Sequence, residues 1–329
     1  MTTNNSTPTT IKQVADLSAR VIGEVEKAVV GKHDVLNQMM AAFLSSGGHI
    51  LLEDYPGLAK TLIANSFAAA LGLEFNRIQF TPDLLPGDIT GGYVFNSNQN
   101  QFQLRKGPLF ANIVLADEIN RASPKTQSAL LEAMQEYQVT LEGESLALPN
   151  PFVVIATQNP IEYEGTFPLP EAQLDRFMVK LGIGYPKPEE EDEILKRRAE
   201  RRQDIVALQA VIAPETFLAM RAAVEEVYID PDVRRYMVDL VTATRHHPQV
   251  IVGVSPRGSL TLLKLARAWA AIHGRDFVIP DDVKAFTQPA LAHRLVLDPN
   301  LWGSKKTEDA VIEQVVASIP VPVIQASYE

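Results

Sequence analysis

Five short apolar runs recur along the first half of the chain, separated by longer polar or helical stretches. In order, they cover residues 49–53, 75–80, 112–117, 152–157 and 178–183. Strands buried in a parallel sheet are continuous apolar runs, and parallel strands need long crossover connections between them. The pattern therefore predicts an α/β unit built on a five-stranded parallel sheet.

The segments between these runs predict one clear helix and two hairpins. Ser123 can cap a helix whose first position is Pro124, and apolar residues recur at helical spacing after it. Residues 93–104 and 139–148 each place apolar stretches on both sides of a polar turn. Each of these two segments predicts a β-hairpin inserted outside the central sheet.

The composition changes after the fifth run. Residues 184–188 contain Gly and two Pro, and an acidic run follows at 189–193. From residue 213 onward the periodicity is helical, with four starts near Pro214, Pro231, Ser255 and Pro280. The sequence thus predicts a flexible tail at 1–10, an α/β core at 11–184, and a linker helix with a helical domain at 185–329.

Composition sets limits on location and partners. The chain has 329 residues, 46% of them hydrophobic, a formal net charge of -10 and no Cys. It shows neither a signal peptide nor an apolar stretch long enough to span a membrane, so a cytoplasmic location is expected. An acidic chain opposes non-specific binding to nucleic acid, so no nucleic-acid partner is expected.

Residues 54–61 (Asp-Tyr-Pro-Gly-Leu-Ala-Lys-Thr) lie between the first predicted strand and a helix. They match the phosphate-binding pattern G-x-x-x-x-G-K-[ST] imperfectly, because Asp54 and Ala59 replace its glycines. Gly57 frees the backbone to wrap phosphates, Lys60 can reach the β and γ phosphates, and Thr61 can ligate Mg²⁺. Taken alone, the loop is as compatible with an ordinary strand–turn–helix as with a phosphate site.

A pair of carboxylates ends the third predicted strand. Asp117 and Glu118 follow the apolar residues 113–116, and open α/β sheets bind ligands at the carboxyl ends of their strands. Asp117 suits the hydration shell of Mg²⁺, and Glu118 suits orientation or deprotonation of an attacking water. An acidic pair alone is also common in loops, but together with Lys60 and Thr61 it predicts a hydrolytic nucleotide site.

Asn159 follows the fourth predicted strand and is short and neutral, as expected of a group that positions water near the γ-phosphate. The alternative is a turn-forming Asn before Pro160. Arg176 and Arg257 are candidates for stabilising charge on a transferring phosphoryl group, and Arg121 is a weaker third candidate. All three arginines are equally compatible with ordinary surface positions.

Seven motifs together resemble the MoxR family of AAA+ ATPases, a branch related to magnesium chelatase subunits. They span most of the chain and lie at residues 56–61, 77–86, 115–122, 127–136, 156–160, 174–177 and 253–257. The resemblance implies an AAA+ P-loop core with a five-stranded parallel sheet and inserted β-hairpins, followed by an all-α lid domain. Ala59 and Asp54 are both tolerated in relatives of this kind.

The resemblance also implies a role for each matching residue. Lys60 and Thr61 correspond to Walker A, Asp117 and Glu118 to Walker B, Asn159 to sensor one and Arg257 to sensor two. Arg176 looks like an arginine finger donated to a neighbouring subunit. The implied catalytic residues are Lys60, Glu118, Asn159, Arg176 and Arg257; the implied ATP contacts are Val30, Gly31, Pro56, Gly57, Leu58, Ala59, Lys60, Thr61, Leu62, Asp117 and Arg257, with Thr61 and Asp117 as Mg²⁺ ligands.

The function expected from this resemblance is ATP hydrolysis by a chaperone-like remodeller that acts as a ring. A finger completing a neighbour's site requires adjacent copies, so a homohexamer is expected. In the family the partner is often a protein with a von Willebrand factor A domain, and the task is maturation of a complex or insertion of a metal or cofactor. The alternative is a nucleotide-switched binding module with little turnover.

Overall fold

A computed structural model describes residues 9–159, 165–298 and 307–323 of the chain. These residues form two compact units. The first unit comprises Val21–Asn37 and Gly47–Pro214, and the second comprises the described parts of 1–20, Gln38–Ser46 and 215–329. Part of the predicted tail at 1–10 and the turn after Asn159 lie outside the described residues.

The described residues contain eleven strands and twelve helices. The strands are β1 (Ile50–Glu53), β2 (Phe75–Gln79), β3 (Gly91–Asn96), β4 (Gln101–Lys106), β5 (Ile113–Asp117), β6 (Gln138–Leu141), β7 (Glu144–Ala147), β8 (Val153–Gln158), β9 (Val179–Leu181), β10 (Val250–Val252) and β11 (Val296–Leu297). The helices are α1 (Ile11–Val25), α2 (His33–Leu44), α3 (Lys60–Leu71), α4 (Pro86–Thr90), α5 (Pro124–Glu136), α6 (Glu171–Leu174), α7 (Pro188–Arg201), α8 (Pro214–Glu225), α9 (Pro231–Arg245), α10 (Pro256–Ile272), α11 (Pro280–Leu291) and α12 (Glu308–Ser318).

The central sheet of the first unit has five parallel strands in the order β2, β5, β8, β1, β9. This confirms the predicted fold class and all five predicted strands. The inner strands β5 and β8 are apolar and buried along nearly their whole length because helices cover both faces of a parallel sheet. Since β1, β5 and β8 are neighbours, their carboxyl ends meet at one edge, where the candidate site lies.

The core of this unit lies between the sheet and its helices. Helix α5 begins as predicted, with Ser123 accepting a hydrogen bond from Thr126 N and Pro124 in the first turn. The inward face of the helix carries Leu130 and Met134, both buried in a cluster that includes Val154 of β8. Burial of this apolar face, more than helix propensity, holds the helix against the sheet.

Both predicted hairpins are present outside the central sheet, as β3–β4 and β6–β7. The β3–β4 hairpin leaves its aromatic residues exposed, and Phe95 meets Phe102 across the strands at 5.4 Å between ring centroids. The Tyr93 hydroxyl donates to the Glu144 carboxylate at 2.8 Å, which joins the two hairpins. This hydrogen bond to a carboxylate raises the pKa of Tyr93 above its ordinary value.

Helices dominate the second unit. Ser255 caps α10 by accepting from Arg257 N, and Asp230 caps α9 by accepting from Asp232 N. Between α10 and α11, Arg275 forms two hydrogen bonds of 2.7 and 2.6 Å to the two oxygens of Asp282. No helix among the described residues has the length and apolar character needed to cross a membrane.

The two units differ from the predicted division at residue 184, because the linker region packs on the α/β unit. Arg197 of α7 donates to the Glu26 carbonyl oxygen at 2.7 Å, and Val211 N donates to the Ala70 carbonyl oxygen at 2.8 Å. Residues 185–214 therefore belong structurally to the first unit. The functional boundaries at 11–184 and 185–329 stay a prediction.

Candidate active site

The phosphate-loop segment connects β1 to α3 through two residues with positive φ. Gly57 has φ 83°, and a Cβ there would meet nothing within 4 Å, so conformation rather than space favours glycine. Ala59 has φ 56° and ψ 18°, in the left-handed region, and α3 begins at the next residue. The first turn of α3, whose N–H groups have no partner within the helix, therefore follows the loop directly, as in an anion site.

Asp54, which stands where the phosphate-loop pattern has glycine, fastens this loop to the end of β9. Its carboxylate is buried and accepts hydrogen bonds from Tyr55 N at 2.9 Å, Ile183 N at 2.7 Å and Gly184 N at 2.6 Å. Three backbone donors on one carboxylate stabilise its charged form. The departure from glycine therefore serves a structural purpose in this chain.

Lys60 is folded back over the loop. Its ammonium group donates to the carbonyl oxygens of Asp54 at 2.6 Å and Tyr55 at 3.0 Å. Burial disfavours the charged form and lowers the pKa of Lys60, although the carboxylates of Asp54, Asp117 and Glu118 act in the opposite direction. Phosphate oxygens brought to this loop would favour the charged form and supply the ammonium with stronger acceptors.

The strand β5 ends at Asp117, and Glu118 follows in the left-handed region with φ 56° and ψ 50°. The hydroxyl of Thr157, on the neighbouring strand β8, links the two residues. It donates to Asp117 Oδ1 at 2.6 Å and accepts from Glu118 N at 2.8 Å. A non-glycine residue in this region is strained, and such strain persists where the surroundings hold the residue firmly, as Thr157 does here.

Three polar side chains surround the carboxylates, and of these only Arg121 was among the residues predicted from the sequence. Arg77 donates to Asp117 Oδ2 through Nε at 3.1 Å and Nη2 at 2.7 Å. Gln79 Nε2 and Arg121 Nη1 both donate to Glu118 Oε2, at 2.9 and 3.0 Å. Arg121, predicted only as a weak phosphate ligand, is thus a partner of Glu118.

The sequence of β2 carries a partial signal for Arg77 and Gln79, which only the register with β5 completes. They alternate with buried Ile78 on β2, and residues two apart on a strand share a face. Gln79 is in register with Asp117 on β5, so this face ends beside the carboxylate pair. Polar residues that alternate along a strand therefore indicate the site when the neighbouring strand ends in carboxylates.

The phosphate loop, Arg77 and the two carboxylates line one cleft of about 430 Å³. It brings together the predicted Lys60, Thr61, Asp117, Glu118 and Asn159. The complete lining is Pro56, Gly57, Leu58, Ala59, Lys60, Thr61, Leu62, Arg77, Asp117, Glu118, Thr157 and Asn159. Asn159 is buried directly after β8 and lines the same cleft as the two carboxylates.

Four predicted residues do not line this cleft. Arg176 borders a separate cavity of about 260 Å³ and donates to the Leu131 carbonyl oxygen at 2.5 Å. Val30 and Gly31 precede α2, where the Glu190 carboxylate packs so closely on Gly31 that a Cβ would collide with it. Arg257 begins α10 in the second unit. The roles expected for these four residues stay predictions.

The donors in the cleft fit Mg²⁺. The Thr61 hydroxyl and the Asp117 carboxylate are hard oxygen ligands. Among the described residues, no group of three or more His, Asp or Glu is arranged to hold a metal ion unaided. Mg²⁺ commonly binds through one or two protein ligands together with substrate phosphates, which matches a carboxylate beside a phosphate loop.

Comparison with known proteins places this architecture in a class. Residues 49–179 match the ATPase family associated with various cellular activities (AAA), and residues 242–315 match the AAA lid domain. A crystal structure from Cytophaga hutchinsonii superposes with a TM-score of 0.88 at 39% identity, covering 94% of this chain and 96% of that one. The fold is that of an AAA+ ATPase with an α/β core and a helical lid, as predicted.

Two relatives identify the family within that class. The chain is 42% identical to Chaperone MoxR1 of Mycobacterium tuberculosis, over 93% of this chain and 83% of that protein. It is 47% identical to the uncharacterised protein YeaC of Bacillus subtilis, over 93% of this chain and 95% of that protein. The chain belongs to the MoxR family of AAA+ ATPases, which confirms the family resemblance predicted from its motifs.

Proposed function

We propose that this protein hydrolyses ATP to ADP and phosphate in the cleft, with Mg²⁺ as cofactor. The observation that carries the proposal is the meeting of a phosphate loop, Lys60, and the Asp117 and Glu118 carboxylates in one cleft. A binding site alone would need the loop and the lysine. The additional Glu118, placed beside buried Asn159, is what hydrolysis requires.

In this proposal each residue has one task. The loop N–H groups and Lys60 bind the phosphates, while Thr61 and Asp117 hold the metal and its waters. Glu118 accepts the proton of the attacking water, and Asn159 orients that water. When bound, Mg²⁺ neutralises charge on the β and γ phosphates. Gln79 and Arg121 both donate to Glu118 Oε2 and so hold the carboxylate in place.

The Glu118→Gln variant tests this mechanism. It should bind ATP with an affinity within roughly twofold of the wild type but hydrolyse it about 100-fold or more slowly, since an amide cannot take the proton. Equilibrium binding of a fluorescent ATP analogue and steady-state phosphate release measure the two quantities. The Glu142→Gln variant, on the exposed turn of the β6–β7 hairpin, is the matched control. Equal turnover in Glu118→Gln would remove Glu118 from the mechanism and favour the switch-like binding module.

We further propose that the active form is a ring, a homohexamer in the family pattern, and that Arg176 completes the site of a neighbouring copy. The support is that Arg176 lies outside the phosphate cleft of its own unit and is half-buried beside α5, where it borders a separate cavity. An arginine finger that acts within its own chain would have to reach that cleft. An arginine finger that acts between copies has to be reachable only at the interface with the neighbouring copy.

Mixing two inactive variants distinguishes these arrangements. Glu118→Gln keeps the finger and Arg176→Ala keeps the catalytic carboxylate. In a randomly mixed ring with equal amounts of both, about a quarter of the interfaces pair an intact finger with an intact site if the finger acts between copies. Phosphate release should then reappear on mixing. Persistent inactivity in verified mixed rings would place Arg176 outside the neighbouring site.

The helical unit is proposed to contribute Arg257, and the segment before α2 to contribute Val30 and Gly31 on the adenine side. These assignments rest on the family motifs. Arg257→Ala should lower the hydrolysis rate more than it lowers ATP binding, if the guanidinium acts on the charge that develops in the transition state. An equal loss of hydrolysis rate and of ATP binding would mean that Arg257 contacts bound ATP without specifically stabilising the transition state.

The biological task is proposed from the family alone. We propose a cytoplasmic remodeller that acts on partner proteins or complexes, in maturation or in insertion of a metal or cofactor, together with a protein that has a von Willebrand factor A domain. Co-purification with such a protein encoded beside this gene, and a change of the ATPase rate on adding it, would support the proposal. If no candidate of this kind co-purifies with the protein or changes its ATPase rate, the partnership is contradicted.

A further inference from the structure

Asp117, which is proposed to hold a metal, already forms an ion pair with Arg77. Nε and Nη2 of the guanidinium both donate to one oxygen, Oδ2, at 3.1 and 2.7 Å. The other oxygen, Oδ1, accepts from the Thr157 hydroxyl at 2.6 Å. Both oxygens of the carboxylate therefore already accept hydrogen bonds, and the donor to Oδ2 is the charged guanidinium of Arg77.

The position of Arg77 is itself held. Its Nη2 also donates to Gln79 Oε1 at 2.7 Å, and Gln79 lies two residues further along the same face of β2. Gln79 in turn donates to Glu118 through Nε2. The guanidinium is thus fixed beside Asp117 by a neighbour on its own strand, and the arrangement connects both carboxylates to β2.

The charge and exposure of Arg77 allow its guanidinium to exchange the Asp117 carboxylate for another anionic partner. The Asp117 side chain is 13% exposed and the Arg77 side chain 48%. Arg77 lines the same cleft as the phosphate-loop residues 56–62. A half-exposed guanidinium beside a phosphate site can transfer its hydrogen bonds from a carboxylate to phosphate oxygens, which carry more charge and match its planar fork.

We propose that Arg77 is a positioning residue that occupies Asp117 Oδ2 until a nucleotide enters the cleft, so that a divalent cation is bound together with the nucleotide and poorly without it. The inference rests on the proposed ATPase function. The reasoning is competition: the guanidinium and a divalent cation both need Oδ2. Phosphates relieve the competition by drawing the guanidinium away, which couples the two binding events.

Binding of Mn²⁺, measured by electron paramagnetic resonance as loss of the free-ion signal, tests the inference without turnover. In the wild type, Mn²⁺ should bind weakly alone and much more tightly with a non-hydrolysable ATP analogue, once the Mn²⁺ that the analogue binds in a protein-free titration is subtracted. Arg77→Gln should strengthen nucleotide-free Mn²⁺ binding about fivefold, the effect of losing a partly exposed ion pair. By linkage, the tightening caused by the analogue should shrink by a similar factor.

Two further variants separate this from general effects. Arg121→Gln removes the same charge from the carboxylate pair but loses a bond to Glu118 instead of Asp117. Its nucleotide-free Mn²⁺ affinity should change by less than about a third of the Arg77→Gln effect. Asp117→Asn in the Arg77→Gln background should abolish the gain, which shows that the gain belongs to this carboxylate. A variant that is merely misfolded would lose affinity, opposite to the expected sign.

Each failure has its own meaning. An unchanged or weaker nucleotide-free affinity in Arg77→Gln, or an equal gain in Arg121→Gln, would overturn the role of Arg77. The proposed function would then still stand, provided the wild type binds Mn²⁺ with the analogue. Absence of Mn²⁺ binding in the wild type even with the analogue would overturn the metal-dependent function itself.

Discussion

The carboxylate of Asp54 accepts a hydrogen bond of 2.6 Å from the backbone N–H of Gly184, which joins the first residue of the phosphate loop to the segment that leaves the last strand of the sheet. A second bond of 2.7 Å from Ile183 strengthens the same connection. A glycine, which the phosphate-loop pattern has at this position, has no side chain to make it. In this chain the loop is therefore anchored at its start by a side chain, and its conformation depends on a segment about 130 residues away along the chain.

Asp54→Asn should loosen this anchor. The amide keeps one acceptor oxygen but brings an N–H₂ group toward backbone donors, so at least one bond to a charged acceptor is lost, at a cost of about 2 kcal/mol. Hydrogen–deuterium exchange should show faster exchange of the Ile183 and Gly184 amides. Thermal unfolding should show a lower midpoint than that of the wild type. Asp83→Asn changes an exposed carboxylate in the same unit and serves as the control. Undiminished protection of both amides would contradict the anchoring role.

Ala59 should tolerate glycine but not a branched side chain. Its φ of 56° costs a non-glycine residue about 1 kcal/mol, an amount similar to the entropy that glycine adds to the unfolded chain. Ala59→Gly should therefore leave stability and ATP-analogue affinity nearly unchanged, whereas Ala59→Val should weaken binding about tenfold or more because valine resists the left-handed region. Titration with a fluorescent ATP analogue measures both variants.

The same substitution inside the following helix gives the control for Ala59. Ala69 lies within α3, so Ala69→Gly should destabilise the unit by about 1 kcal/mol, the usual helical penalty of glycine. Equal losses of stability for Ala59→Gly and Ala69→Gly would mean that the left-handed conformation of Ala59 carries no strain.

The sheet was predictable because each buried strand is marked in the sequence by a short run of apolar residues. Inner strands such as Val153–Gln158 begin with a continuous apolar run, and the polar residues Asp117 and Asn159 lie at the carboxyl ends of their strands. Parallel topology alone brings such ends together, so most of the cleft followed from the motifs. The hairpins were likewise visible from apolar stretches around polar turns.

Arg77 was missed, and the boundary between the two compact units differs from the predicted domain boundary, for different physical reasons. Arg77 lies on the edge strand β2, where an alternation of exposed polar and buried apolar residues is typical of any edge strand. The proposed role of Arg77 depends on the register of β2 with β5, and the sequence of β2 alone does not determine this register. The boundary at 184 followed a composition break, whereas the packing of residues 185–214 depends on tertiary contacts such as Arg197 to Glu26.

Glu24 should contribute stability that depends on pH. Its carboxylate accepts from Lys27 Nζ at 2.5 Å and from Gln209 N at 2.9 Å, and these bonds lower the pKa of Glu24. The contribution is then complete above the ordinary unfolded value of about 4.3 and is lost as the pH falls through the lower folded-state pKa. Glu24→Gln should be less stable than the wild type at pH 7, and the difference should shrink below about pH 4.

Urea unfolding at a series of pH values measures this difference for Glu24. Glu200→Gln, on the exposed surface of α7, is the control and should follow the wild type throughout. A Glu24→Gln deficit that stays constant from pH 7 to the acid limit would show that the loss comes from packing, without a contribution from the charge.

Adjacent aspartates at the start of α11 provide the sharpest test in the helical unit. The Asp282 side chain is 2% exposed, forms two bonds to Arg275 and accepts from Ile279 N at 2.8 Å. The Asp281 side chain is 79% exposed and meets only Lys284 in the described ion pairs. Asp282→Asn should cost about 2 kcal/mol or more, because it leaves a partly buried guanidinium short of its acceptor, whereas Asp281→Asn should cost less than about 0.5 kcal/mol.

Trp269 reports on this comparison because its ring packs against Phe286 of α11 at 5.2 Å between centroids. Urea unfolding followed by tryptophan fluorescence should place the Asp282→Asn midpoint well below those of the wild type and Asp281→Asn. The hydrogen bond to Asp282 raises the pKa of Arg275, which therefore stays charged at every accessible pH, so the ranking should not change between pH 6 and about pH 9. Similar midpoints for the two variants would mean that burial gives Asp282 no advantage over its exposed neighbour.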